Sequence, residues 1–143
     1  MTVIPKKVWP LIDGAFPQHT CLLGTVLGNG FAQITPRGST QVYDDQHISI
    51  WERGRGTTTA TISEDTNVTV FYFNLGARDV LPIGGIVRLY GTASIHKSGP
   101  VYDRVWERLI EPEKNYDPDK KGWAVLIKID RVEDLLGQPL QEN

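Results

Sequence analysis

Between Thr20 and Thr35 the chain runs Thr20-Cys-Leu-Leu-Gly-Thr-Val-Leu27, then Gly28-Asn-Gly30, then Phe31-Ala-Gln-Ile-Thr35. Gly and Asn tolerate positive φ, so such a cluster between two extended, β-branched runs reads as a tight hairpin. A second hairpin follows over Asp44-Asp-Gln46, joining Ser39–Tyr43 to His47–Trp51. In its return strand Ile48 and Ile50 alternate with His47, Ser49 and Trp51, a period of two that puts them on opposite faces. A chain that opens with two consecutive hairpins is committed to antiparallel pairing.

The remaining segments extend the pattern. Asn67–Phe73 is a strong strand, and Asn74–Gly85 is a Gly- and Pro-rich loop. Ile86–His96 is a long strand interrupted by Gly91, which points to a bulge or a close backbone approach. Pro100–Ile110 is an amphipathic helix with Val101, Val105, Trp106 and Leu109 on one side, Glu111–Gly122 a polar loop, and Trp123–Ile129 the last strand, with Val132–Leu136 tailing off it. Pro10 limits the opening segment, Pro5–Asp13, to a short helix. Thr57–Glu64 reads as a short helix entered through three threonines. About six antiparallel strands with short helices argue a mainly β (α+β) fold, a small barrel whose closure removes its edges.

Size and charge narrow the function. The 143 residues make one domain, 1–143. Fifteen Lys and Arg against seventeen Asp and Glu leave a net charge of −2, the wrong sign for a non-specific nucleic-acid binder. The single cysteine excludes an internal disulfide and a four-Cys zinc site. The three histidines match no metal spacing, so no metal is expected. No apolar run approaches ~18 residues, and the charges of the first seven residues fall in the wrong order for a signal peptide; a soluble, cytoplasmic protein with no membrane contact is expected. A domain of ~150 residues buries only about two-thirds of its unfolded surface, so a deep ligand site calls for a second subunit.

Two segments carry chemistry. Thr35-Pro-Arg-Gly-Ser-Thr40 is a basic turn between strands; Trp51-Glu-Arg-Gly-Arg-Gly-Thr-Thr-Thr59 ends a strand in an aromatic, passes a Gly/Arg loop and enters a helix through hydroxyls. Helix N–H groups, glycine-exposed amides, threonine hydroxyls and arginine charge together make a phosphate cradle. The segment is neither a Walker A loop nor a Rossmann fingerprint. From the residues alone, Thr57 as a simple helix cap with solvated arginines is the other reading.

Hairpin Leu22–Thr35, turn Thr35-Pro-Arg-Gly38, strand His47–Trp51, loop Arg53-Gly-Arg-Gly-Thr-Thr58 and the pair Val68–Phe71 and Val87–Ala93 resemble, in order and spacing from about Thr20 to Glu133, the pyridoxamine 5'-phosphate oxidase-like FMN-binding split barrels. The resemblance implies a six-stranded antiparallel split β-barrel with short flanking helices, a homodimer, and FMN in clefts between subunits. It places the first flavin segment on Arg37, Gly38, Ser39, Thr40 and Val42, with Arg37 on the phosphate. The next contact falls on Trp51 and Glu52, and the loop contacts on Arg53, Arg55, Gly56, Thr57 and Thr58. Threonines 57 and 58 stand where the classical oxidase has an Arg-Lys pair, so Arg37, Arg53 and Arg55 must supply the charge. A glutamine that some members place at the start of the Ile86 strand is missing, and the chain is too short for the vitamin-B6 oxidase itself.

The implied function is an FMN-dependent oxidoreductase acting on a small conjugated substrate or nicotinamide donor, with no catalytic residue assigned. A protein that binds or stores FMN, F420 or haem without turnover is the alternative, and a barrel that has lost its cofactor is a third reading. Trp51 is expected either near the flavin or at the dimer interface; Trp123 at the core or against the partner's cofactor. Cys21 is expected buried and inert, Glu133, Asp134 and Glu142 on a solvated surface, and Asp117–Lys121 a bare connection or a lid.

Overall fold

The computed structural model describes residues 3–54 and 62–140. Seven strands form one antiparallel sheet: β1 (Leu22–Val26), β2 (Ala32–Pro36), β3 (Gln41–Asp44), β4 (His47–Glu52), β5 (Asn67–Phe73), β6 (Ile86–His96) and β7 (Trp123–Glu133). Their order across the sheet is β2-β1-β5-β6-β7-β4-β3. Both expected hairpins form, Leu22 pairing with Pro36 and Gln41 with Ser49.

The expected six-stranded closed barrel does not form. Among the described residues no ladder joins β2 to β3, so the sheet stays open with these two as its edges. The β3 edge is satisfied otherwise. Helix α1 (Trp9–Asp13) lies against it, the Val42 N–H donates to Asp13 Oδ1 at 2.8 Å, and the Ile4 N–H donates to the Asp45 carbonyl at 2.6 Å. Ile4, Val8 and Ile12 are fully buried in the core with Leu23, Ile48, Val70, Leu89 and Ile127. The N-terminal segment therefore covers an edge that barrel closure was expected to remove.

Inward and outward residues alternate along β5 and β6, as a sheet with one core face requires. β4 departs from this: every residue from Ile48 to Glu52 is buried. Its second face is covered by α2 (Pro100–Arg108), whose Val105, with Leu109, Trp51 and Ala124, forms a smaller cluster flanked by Val101, Tyr102 and Trp106. In the expected polar loop a further helix, α3 (Glu111–Tyr116), forms; Pro112 in its first turn and the acidic residues there favour a helix start.

Gly91 is both a bulge and a close approach. Tyr90 pairs with Arg131 but Gly91 pairs with Ile129, so Asp130 is the extra residue of β7. A Cβ on Gly91 would stand 2.4 Å from the Lys128 carbonyl oxygen. Of the expected helix 57–64, residues 62–64 are not helical, and 57–61 lie outside the described residues.

Candidate functional site

Strand pairing and one ion pair bring the two chemistry-bearing segments together. Arg37 leaves β2 in a turn held by Thr40, whose hydroxyl donates to the Arg37 carbonyl at 2.7 Å. Glu52 ends β4. Arg37 Nη2 donates to Glu52 Oε2 at 2.7 Å, with the two side chains 11% and 3% exposed. Ser39 is buried and locks the same strands: its Oγ accepts the Trp51 N–H at 2.9 Å. Gly38 sits where a Cβ would come within 3.0 Å of Phe16 and Glu113. Val42 is buried and belongs to the core.

Beyond Glu52 the chain turns at Gly54, φ +79°, whose N–H donates to Glu52 Oε1 at 3.1 Å. The Arg53 guanidinium lies over the Tyr116 ring, 4.8 Å from its centroid. Gly54 packs on the Trp123 ring, and the Lys97 ammonium lies over that same ring at 4.9 Å. Trp123 is half-buried and also packs on the main core. Arg55, Gly56, Thr57 and Thr58 lie outside the described residues.

The Trp51 side chain packs inside its own chain. The indole is 2% exposed, in contact with Tyr102 and Trp106 of its own chain at centroid distances of 5.2 and 5.0 Å. Its Nε1–H donates to Asp117 Oδ2 at 2.8 Å. Asp117 also accepts the Gly122 N–H at 2.8 Å and the Lys121 N–H at 2.9 Å, so the 117–121 segment is tied down. Gly122 is required there, because a Cβ would stand 2.3 Å from the Glu52 carbonyl oxygen. Lys97 escaped the sequence reading, and Asp117 entered it only as the start of a connection or lid, since each reaches the corner from a distant segment and neither carries a local motif.

Two acidic residues correct the expected solvated tail. Glu133 and Asp134 are buried. Glu133 accepts the Tyr90 hydroxyl at 2.5 Å and Arg131 Nε at 2.9 Å, with Arg88 Nη1 at 3.7 Å. The Tyr90 bond and then Arg131 hold the Glu133 carboxyl below the ordinary range, and the same bond raises Tyr90. Asp134 Oδ1 caps a turn by accepting the Leu136 and Gln138 N–H groups. Glu142 lies outside the described residues. Cys21 is buried as expected, its thiol pushed up to about 12 by burial.

The corner carries three cations, Arg37, Arg53 and Lys97, beside three carboxylates: Glu52, which holds Arg37, Glu113, which lies against Gly38, and Asp117, which is occupied by N–H donors. Among the described residues no cluster of His, Cys, Asp and Glu could hold a metal.

Sheet and helices define a mainly β, antiparallel domain with few helices. The chain belongs to the pyridoxamine 5'-phosphate oxidase family, whose model matches residues 14–135. Its fold is similar to that of HupZ from Group A Streptococcus, with 20% identity over 98% of this chain and 99% of that one and a TM-score of 0.68. It is similar also to an FMN-binding protein from Syntrophomonas wolfei, with 20% identity over 89% and 82% of the chains and a TM-score of 0.64. An F420 reductase shares 14% identity over 91% and 98%, with a TM-score of 0.57. No curated protein matches the sequence.

Proposed function

We propose that the protein is an FMN-dependent oxidoreductase of this family, working in the cytoplasm as a homodimer on a small conjugated substrate or with a nicotinamide donor. The observation that carries the reading is the meeting of segments 37–42 and 51–54 through the Arg37–Glu52 and Ser39–Trp51 contacts. Arg37, Arg53 and Lys97 would hold the phosphate end, with Arg55 adding charge. Ser39 and Asp117 fix the strand ends that orient the ring. When bound, the flavin supplies the hydride or electron chemistry, so the chain need only bind, orient and exclude water.

A dimer is supported by the outward face of β2-β1-β5-β6. A concavity of about 640 Å³ lies there, lined by Leu22, Val26, Ile34, Phe71, Arg88 and Tyr90 among others. Val26 and Ile34 are each 66% exposed, an apolar surface that a second copy would cover. Ile34→Glu should shift the mass measured by light scattering from two chains to one.

The test of the cofactor is the absorption spectrum of the purified protein, with mass analysis of what it releases on denaturation. A flavin band near ~450 nm that bleaches with NAD(P)H is expected. Arg37→Ala should weaken FMN binding by about 1.5–3 kcal/mol, one charge-assisted contact. A colourless protein that takes up no added FMN overturns the reading. The likeness to an F420 reductase favours a second reading, a deazaflavin or other cofactor held on the same scaffold. A flavin band that NAD(P)H leaves intact, or a Soret band, would point to binding or storage instead.

A further inference from the structure

We propose that Glu52 is a specificity-determining residue of the corner: its carboxylate competes with the ligand's phosphate for the Arg37 guanidinium. The inference rests on the reading of a flavin nucleotide bound at this corner and adds what limits the hold on its phosphate.

A guanidinium fork suits a carboxylate or a phosphate equally, so the two compete for one set of donors. Here the chain supplies its own carboxylate, at 2.7 Å and nearly dry. It is delivered from a rigid support. Glu52 pairs with Trp123 in the β4–β7 ladder, its carbonyl lies against Gly122, and the neighbouring indole is anchored on Asp117. A second bond, from the Gly54 N–H to Oε1, holds the carboxylate in place. Arg37, by contrast, comes from a turn. An incoming anion must therefore draw the guanidinium away from a fixed carboxylate and tolerate that negative charge nearby. A phosphate ester with close to two charges gains more from the guanidinium than a singly charged group does. The corner therefore favours phosphorylated flavin over riboflavin by less than its arginines alone would allow.

The experiment measures FMN and riboflavin dissociation constants for the wild type and Glu52→Gln, which keeps an acceptor for Gly54 but removes the charge. FMN should bind the variant about tenfold more tightly, the scale of one partly buried charge contact, with riboflavin unchanged. Inorganic phosphate should raise the melting temperature of the variant more than that of the wild type. Weaker FMN binding, or an equal change for both flavins, overturns the proposal and makes Glu52 a support for Arg37. If neither protein takes up flavin, the flavin reading fails on its own and the phosphate arm decides. A larger phosphate shift in Glu52→Gln upholds the competition, and equal shifts end it. Should Glu52→Gln not fold, Glu52→Asp, which shortens the reach of the charge, should show the same trend at smaller size; no change there overturns the proposal equally.

Discussion

Replacing Asp117 by Ala removes one side chain and strips three donors of their acceptor: the Trp51 indole N–H and the Gly122 N–H, both buried, and the half-buried Lys121 N–H. A buried donor left without a partner costs about 1–3 kcal/mol, so two of them set a ceiling near ~6 kcal/mol. Lys121 can reach water, and water entering the space left by the carboxylate recovers part of the rest, so we expect a loss of about 3 kcal/mol. For a domain of ~150 residues each kcal/mol moves the midpoint by about 2–4 °C, so the melting temperature should fall by roughly 6–12 °C. Asp117→Asn keeps one good acceptor and should lose about half as much. Urea unfolding followed by circular dichroism measures the difference directly. A loss below about 1 kcal/mol for Asp117→Ala would show that the carboxylate is not what ties the 117–122 segment to β4.

Further outcomes follow from the same reasoning. Gly91→Ala meets a backbone carbonyl at 2.4 Å between two central strands and should cost at least ~3 kcal/mol, whereas Gly28→Ala, with nothing within 4 Å, should be near neutral in the same melts. Glu133 has a folded pKa below its unfolded one, so its contribution is full above pH ~4.3 and is lost as pH falls through the folded value; Glu133→Gln should flatten that acid limb of the stability profile. The Cys21 thiol, buried and raised to about 12, should resist an aromatic disulfide reagent in the native protein and react once denatured; rapid native labelling would refute its burial.

How far the residues could be read depended on how local each signal was. Gly91 was legible in full, because a glycine inside a β-branched run has few reasons to be there, and a bulge with close packing accounts for it. The Arg37 turn and the Trp51–Arg53 strand end were linked through the order and spacing of the family resemblance, and they do meet. Their joining by Arg37 and Glu52 was not, since the sequence offered both charges to a ligand. Glu133 and Asp134 look like an acidic tail in one dimension. The partners of Glu133, Tyr90 and Arg88, sit more than 40 residues earlier on the neighbouring strand β6, while the Asp134 carboxylate is taken up by the turn that follows it.

By itself the sequence determined the strands, the two hairpins, the antiparallel sense and the basic turn, all of which follow from side-chain period and turn chemistry acting over a few residues. Tertiary structure alone decided that the sheet stays open, that α1 takes the β3 edge, that α2 buries the second face of β4, and that Glu52 claims Arg37. Those outcomes depend on strand order and register, which place charges and donors from distant segments within bonding reach. The free energy of such pairs acts through space and leaves no local pattern for a reader of the chain.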